Sequence, residues 1–146
     1  MNDSAFVSTA IRLTEMVVSS KRLTYDKEQM ATEGVDDLHP FKFMTQTYTL
    51  VREKVPEAKS YAIAIGYDVY HHLTMGDSPE FLAVLDPVAR HSRLKDGELG
   101  RIFGADVFTS ATNPALRNAV PDDVIAVGAY DQDGNLIRSA SVRLER

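Results

Sequence analysis

Two stretches of the sequence carry side chains that could bind a metal ion. His71 and His72 are adjacent, and oxygen-bearing side chains alternate in residues 131–135 (DQDGN). Neighbouring residues on a helix diverge by about 100°, so the two imidazoles do not converge on one ion. The acidic stretch has the alternating oxygens of a calcium loop, but Val142 stands where that loop needs a glutamate. We therefore predict a hairpin turn at 131–135 and no metal site.

The patterns of covalent, acid–base and nucleotide chemistry are absent from the sequence. It contains no cysteine, which excludes thiolate catalysis and disulfides. Thr109 and Ser110 lie in a predicted strand, whereas a hydrolase nucleophile needs a sharp turn and a nearby base. Gly97, Gly100 and Gly104 do not have the spacing of a dinucleotide-binding motif. We expect no catalytic residue and no cofactor, and we predict that the protein is not an enzyme.

Length and charge narrow the class of protein further. The 146 residues match one domain in size, and 44% hydrophobic with 25% charged residues is an ordinary globular composition. The 21 acidic residues outnumber the 16 basic ones, and the net charge of −5 argues against binding to nucleic acid through phosphate contacts. No apolar run approaches the roughly 20 residues that span a bilayer, and no signal peptide is evident. We therefore expect a cytoplasmic site of folding and no membrane partner.

The first 40 residues are predicted to form a helix and an extended arm, and residues 41–146 the main domain. Residues 4–19 read as a helix whose inner stripe is core or a subunit contact. Its apolar residues are Phe6, Ala10, Leu13 and Val17, with Val7, Ile11 and Val18 widening the stripe. Residues 20–40 are polar, contain Gly34, and show no sustained period beyond a helical turn at 25–31. An arm lying on a neighbouring subunit and a plain linker both remain open.

The middle of the chain alternates short helices with one clear strand. A second helix begins near a cap at Asp37 and ends before Pro56. Its apolar stripe is Phe41, Met44, Tyr48, Val51 and Val55. Residues 60–66 (SYAIAIG) are almost continuously apolar, which is typical of a central strand covered on both faces. Two short helices are predicted over 68–74 and 79–89.

A glycine-rich stretch, residues 94–114, organises the remainder, because three glycines lead into a predicted strand at 106–110. A helical turn over 115–118 follows. The chain then forms a hairpin of Val124–Tyr130 with residues 136–144, in which Leu136, Arg138, Ala140, Val142 and Leu144 are expected to face the core. The prediction is an α+β fold with a small central, mostly antiparallel sheet flanked by short helices.

The region from Phe41 to the C-terminus resembles the axial domain of the major capsid proteins of tailed phages, whose fold encapsulins share. In that family an apolar strand leads to a short helix, as in residues 61–73 here. A glycine-bounded segment later enters a strand that ends near a proline. The matching residues are Gly100, Ile102, Gly104, Val107, Ser110 and Pro114. Family members are longer and carry a spine helix that is missing from this sequence.

The resemblance implies a structural virion protein, either a capsid protein or a capsid-associated one, that acts by self-assembly. Its expected partners are other copies of itself and other virion proteins, with no sequence-specific nucleic acid. Its expected location is the virion, after assembly in the host cytoplasm. The alternative is a small non-enzymatic ligand-binding or regulatory module, with its ligand surface formed by residues 74–80 and 92–104. Gly104→Val is predicted to disrupt folding or assembly, because a β-branched side chain tolerates positive φ poorly.

Overall fold

The computed structural model describes residues 3–22, 40–74, 79–87, 97–111 and 114–143. In this part of the chain the helices are α1 (Asp3–Val18), α2 (Pro40–Lys54), α3 (Tyr67–Thr74) and α4 (Pro79–Val84), with a 3-10 turn at Pro114–Asn118. The strands are β1 (Lys21–Arg22), β2 (Ser60–Ile65), β3 (Asp86–Pro87), β4 (Glu98–Ile102), β5 (Ala105–Thr109), β6 (Val124–Tyr130) and β7 (Leu136–Arg143).

All seven strands join one mixed sheet in the order β1-β7-β6-β2-β5-β4-β3. Five strands of five or more residues form its body, and the two-residue strands β1 and β3 lie at its edges. Pairing is antiparallel except for β1 with β7 and β2 with β5. At the centre, Ile63 of β2 is opposite Val107 of β5 and Val127 of β6. The predicted α+β class, with a mostly antiparallel sheet and flanking helices, is confirmed.

Each face of the sheet has its own apolar core, because successive side chains of a strand point to opposite faces. Ile63 and Ile65 face α2 and α3, whereas Ala62 and Ala64 face α1 and the 3-10 turn. The predicted stripe of α2 supplies the first core, although Phe41 is only partly buried. Both faces of β2 are therefore covered, as its continuous apolar sequence predicted.

The glycine-rich stretch differs from its prediction, which gave it only one strand. Residues 98–102 form a second strand, β4, that pairs antiparallel with β5. Its register shifts between Glu98 and Gly100, and Gly100 has a φ of 147°. This irregularity breaks the alternation by which a strand is recognised in a sequence. The stretch returns the chain to the centre of the sheet, where β5 pairs in parallel with β2.

Three further predictions are corrected. The helix predicted over 79–89 ends at Val84, because Asp86–Pro87 pairs with β4. Lys21–Arg22 lies in the sheet as β1 rather than in an arm. The cap predicted at Asp37 and the helical turn predicted over 25–31 fall outside the described residues. On β7, Ser139 and Ser141 are buried although the alternation placed them outside, because α1 covers that face. Arg138, which the alternation placed towards the core, is exposed.

Candidate functional site

The β4–β5 hairpin ends in a two-residue turn that presents an aromatic ring to solvent. Ile102 pairs with Ala105, so Phe103 and Gly104 form the turn. Their φ angles are 50° and 86°, and positive φ at both central residues is the pattern of a type I′ hairpin turn. Phe103 is the one non-glycine residue with positive φ in the described part of the chain, and 53% of its surface is exposed. Positive φ is unusual for a bulky residue, and here the geometry of the two-residue turn imposes it.

Hydrogen bonds from both sides fix this turn. The Tyr48 hydroxyl of α2 donates to the carbonyl oxygen of Phe103 over 2.8 Å. Arg101 Nη2 donates to the carbonyl oxygen of Gly104 over 3.2 Å, and Arg101 Nε lies 3.3 Å from Asp106 Oδ1. Burial raises the pKa of the Tyr48 hydroxyl, although neighbouring positive charge from Arg52 opposes the shift. The hydroxyl therefore stays protonated at neutral pH, as a donor must.

A groove of about 540 Å³ lies between this turn and α2. It is lined by Thr45, Tyr48, Thr49, Arg52, Glu53, Pro56 and Phe103. The Arg52 guanidinium carbon lies 5.9 Å from the centre of the Tyr48 ring, whose edge meets Tyr61 at 5.6 Å between ring centres. Aromatic and aliphatic walls beside one cation and one carboxylate are suited to holding an amphipathic side chain of a partner.

The two stretches considered as metal sites, His71–His72 and residues 131–135, make contacts within the chain. The His71 ring packs edge-on against Tyr67 at 4.3 Å between centres, and His72 follows it on α3. Asp131 Oδ1 accepts hydrogen bonds of 2.9 Å from the backbone N–H groups of Asp133 and Asn135. The predicted hairpin turn is thus confirmed. Among the residues with assigned positions, no group of three His, Asp or Glu side chains could hold a metal ion.

Thr109 is the last residue of β5, and Ser110, predicted as part of that strand, follows it directly. Thr109 Oγ1 accepts a hydrogen bond of 3.1 Å from the backbone N–H of Ala111, and the backbone N–H of Thr109 donates to Gly97. The Ser110 hydroxyl is buried and has no hydrogen-bond partner within the described ranges. These contacts close the strand end.

Sequence reasoning missed the exposure of Phe103. The structure buries Ile102 completely and turns Phe103 outward, a difference that the glycine pattern did not predict. A signal was available, since a two-residue turn ending in glycine between two strands sends its first side chain away from the sheet. That signal could be used only once β4 was identified as a strand. The bulge in β4 interrupts the alternation by which a strand is identified in a sequence.

The helices assigned between residues 3 and 143 include none with the length and hydropathy of a membrane span. Comparison of the chain with protein-family models, curated proteins and solved structures finds no match.

Proposed function

We propose that this is a structural virion protein, a capsid component or a capsid-associated one, that acts by self-assembly through subunit contacts. The observation that carries the self-assembly is the Phe103 turn. Its backbone strain costs about 1–3 kcal/mol, and 53% of the surface of Phe103 is exposed. Packing of the ring against another molecule would offset that cost, since a fully buried Phe contributes about 1.5–3 kcal/mol.

The geometry around Phe103 supports a fixed contact surface. Tyr48 and Arg101 hold both carbonyl groups of the turn, so the ring is presented by a pre-organised backbone. Pre-organisation lowers the entropy lost on binding. Aromatic anchors beside a groove and a rim of charged groups are typical of energetically important interface positions.

The virion assignment rests on the resemblance of the region from Phe41 to the C-terminus to the capsid axial domain. It implies that the partners are further copies of this chain and other virion proteins. It places the assembled protein in the virion and its assembly in the host cytoplasm. Membranes and sequence-specific nucleic acid are not among the proposed partners, in line with the net charge of −5.

The test is sedimentation velocity over a range of protein concentrations. Wild type is expected to form oligomers whose size rises with concentration. Phe103→Asn removes the ring while keeping a residue that tolerates positive φ, so it should fold normally and form smaller species. Tyr67→Asn is the matched control, because Tyr67 is also an exposed aromatic residue but packs against Arg117 and His71. A wild type that is monomeric throughout, or a Phe103→Asn variant that assembles like wild type, would contradict the proposal.

A second candidate, a non-enzymatic ligand-binding module, is favoured by the same 540 Å³ groove. It predicts that a small molecule raises the melting temperature of the wild type. A screen of a metabolite panel by thermal shift separates the two candidates, with Arg52→Ala as the control for binding in the groove. A monomeric protein that responds to one compound, and loses the response in that variant, would favour the module.

A further inference from the structure

The outer side of α1 is apolar at two positions that no described residue covers. Val18 is 78% exposed and Ile11 is 61% exposed. They are seven residues apart, so they lie on one stripe two helical turns in length, about 10 Å. Glu15 is exposed on the same stripe and forms no ion pair with a described residue. Leu13 and Met16, on the opposite side, fill the core against the sheet.

A groove with complementary character lies at the β7 edge of the sheet. It has a volume of about 400 Å³, and its exposed apolar residues are Leu50 and Ile137, which are 39% and 45% exposed. Its charged lining residues among those that the structure describes are Lys21, Lys54 and Arg138, with no carboxylate in that set. None of these three cations forms an ion pair within the described part of the chain. The groove therefore concentrates positive charge in a protein whose net charge is −5.

We infer that the outer stripe of α1 from one copy binds in the β7 groove of a second copy. The apolar pair Ile11 and Val18 would cover Leu50 and Ile137, which are otherwise in contact with water. Glu15, between the apolar pair, would meet the three cations. An amphipathic helix laid into an apolar groove is a common mode of recognition, and opposite charges at its rim fix the partner and its register.

The positions of the two surfaces determine the type of contact. α1 packs on one face of the sheet through Leu13 and Met16, and its exposed stripe points away from that face. The groove lies at the sheet edge and is lined by α2, which packs on the opposite face. The stripe and the groove adjoin on each molecule, since Ser19 lines the groove and follows Val18. Two copies that exchange this contact form a closed dimer, whereas copies that each bind a different neighbour form a ring or an open array.

This inference rests on the proposed self-assembly but uses a surface separate from Phe103. The experiment is a charge exchange between two variants. Glu15→Lys places like charge against the cations of the groove, and the double variant Lys54→Glu/Arg138→Glu places like charge against Glu15. Each variant alone should weaken self-association about tenfold or more, because like charges across a contact repel. All three positions are exposed, so circular dichroism and thermal melting should match wild type.

Mixing the two variants is the decisive measurement. In the mixture, the α1 stripe that carries the Glu15→Lys substitution meets the groove made acidic in the double variant. The unchanged Glu15 of the double variant meets the unchanged basic groove, so association should return close to the wild-type level. A mixture that stays as dissociated as its components, while both remain folded, overturns the inference. So does a wild type that stays monomeric, since the groove then takes a different partner.

Failure of this contact can be told apart from failure of the proposed function. Charge variants that assemble like wild type, together with a Phe103→Asn variant that does not, remove the α1 contact and leave self-assembly through Phe103 standing. Wild-type chains that are monomeric at every concentration remove both.

Discussion

Two neighbouring apolar residues of the β4–β5 hairpin have opposite exposures to solvent. Ile102 is completely buried beneath α2, and Phe103 projects into solvent from a left-handed backbone. The hydroxyl of Tyr48 stabilises this arrangement, because it donates a hydrogen bond to the carbonyl oxygen of Phe103. Tyr48 belongs to α2, whose apolar stripe lies in the core. Loss of that hydrogen bond would remove about 1 kcal/mol and would leave the turn without its support from α2.

Burial also changes the acid–base behaviour of Tyr130. Its pKa is raised, chiefly by burial, which outweighs the opposing effect of Arg12. The Arg12 guanidinium carbon lies 4.1 Å from the centre of the ring, and the hydroxyl has no hydrogen-bond partner among the described residues. The folded protein thus holds the phenol in its neutral form at a pH where the unfolded chain already loses the proton.

Stability should consequently fall in alkaline solution. A raised folded-state pKa contributes stability that is complete below the unfolded pKa of about 10 and is lost as the pH rises towards the folded value. Tyr130→Phe removes this contribution, so its free energy of unfolding should fall less steeply above pH 10 than that of wild type. Urea unfolding at pH 8, 10 and 11 measures the difference. Parallel pH curves for the two proteins would show that Tyr130 does not titrate in this way.

At neutral pH the same substitution should have little effect. The missing hydroxyl leaves no partner behind, and the phenyl ring keeps its contact with Arg12. Sequence alone could not reveal this residue's behaviour. It placed Tyr130 at the end of a strand, but the burial that shifts its pKa depends on α1 folding over the second face of the sheet.

At the scale of elements, the junction after β2 depends on a glycine for space. A Cβ on Gly66 would collide with the carbonyl oxygen of Pro121 and lie 2.5 Å from that of Asp122. The backbone is tied at the same point, because Gly66 donates to Val124 and Asp68 donates to Asp122. The sequence prediction placed this residue at the end of the strand over 60–66. Its role is the close approach of another loop, which no local pattern records.

Gly66→Ala should therefore lower the free energy of unfolding by about 3 kcal/mol, since the clash is with backbone that cannot move aside. Gly134→Ala is the control. Gly134 has a φ of 81° with nothing within 4 Å of an added Cβ, so only conformational strain of about 1–2 kcal/mol is expected. Chemical denaturation gives both values. A larger loss at Gly134 than at Gly66 would contradict this explanation.

Gly104 belongs with Gly134 rather than with Gly66. Its φ is 86°, and an added Cβ would meet nothing within 4 Å. The predicted harm of Gly104→Val thus comes from the backbone conformation alone, and it stays a prediction. The sequence predicted α2 and β2 well because their apolar patterns are unbroken, and it predicted the β6–β7 hairpin from its turn residues. The sequence prediction missed β4 because its bulge interrupts the alternation of side chains. It missed β1 because a strand of two residues shows no alternation.

At the scale of the molecule, the sheet needs cover on both faces. α1 supplies Leu13 and Met16 to the core beneath Ala62, Ala64 and Ala126. The sequence predicted a separate N-terminal part, residues 1–40, and a main domain, residues 41–146. That division stays a prediction, although the contacts of α1 with the sheet have a direct consequence for a truncated chain.

A fragment of residues 41–146 should be markedly less stable than the whole chain. It loses two completely buried side chains, each contributing about 1.5–3 kcal/mol, and exposes small residues that cannot cover the face themselves. We expect a broader urea transition at lower denaturant and binding of a hydrophobic dye. A fragment that melts as cooperatively and as high as the full chain would establish residues 41–146 as an independent domain.

The pairing of β2 has a consequence for synthesis on the ribosome. β2 ends at Ile65, but its partners are β5, which begins at Ala105, and β6, which begins at Val124. At the usual rate of translation, several seconds pass between synthesis of the apolar segment SYAIAI and synthesis of either partner strand. During that interval both of its edges are unpaired, so released fragments that end between residues 65 and 105 should bind chaperones, and fragments extended past Tyr130 should bind them less.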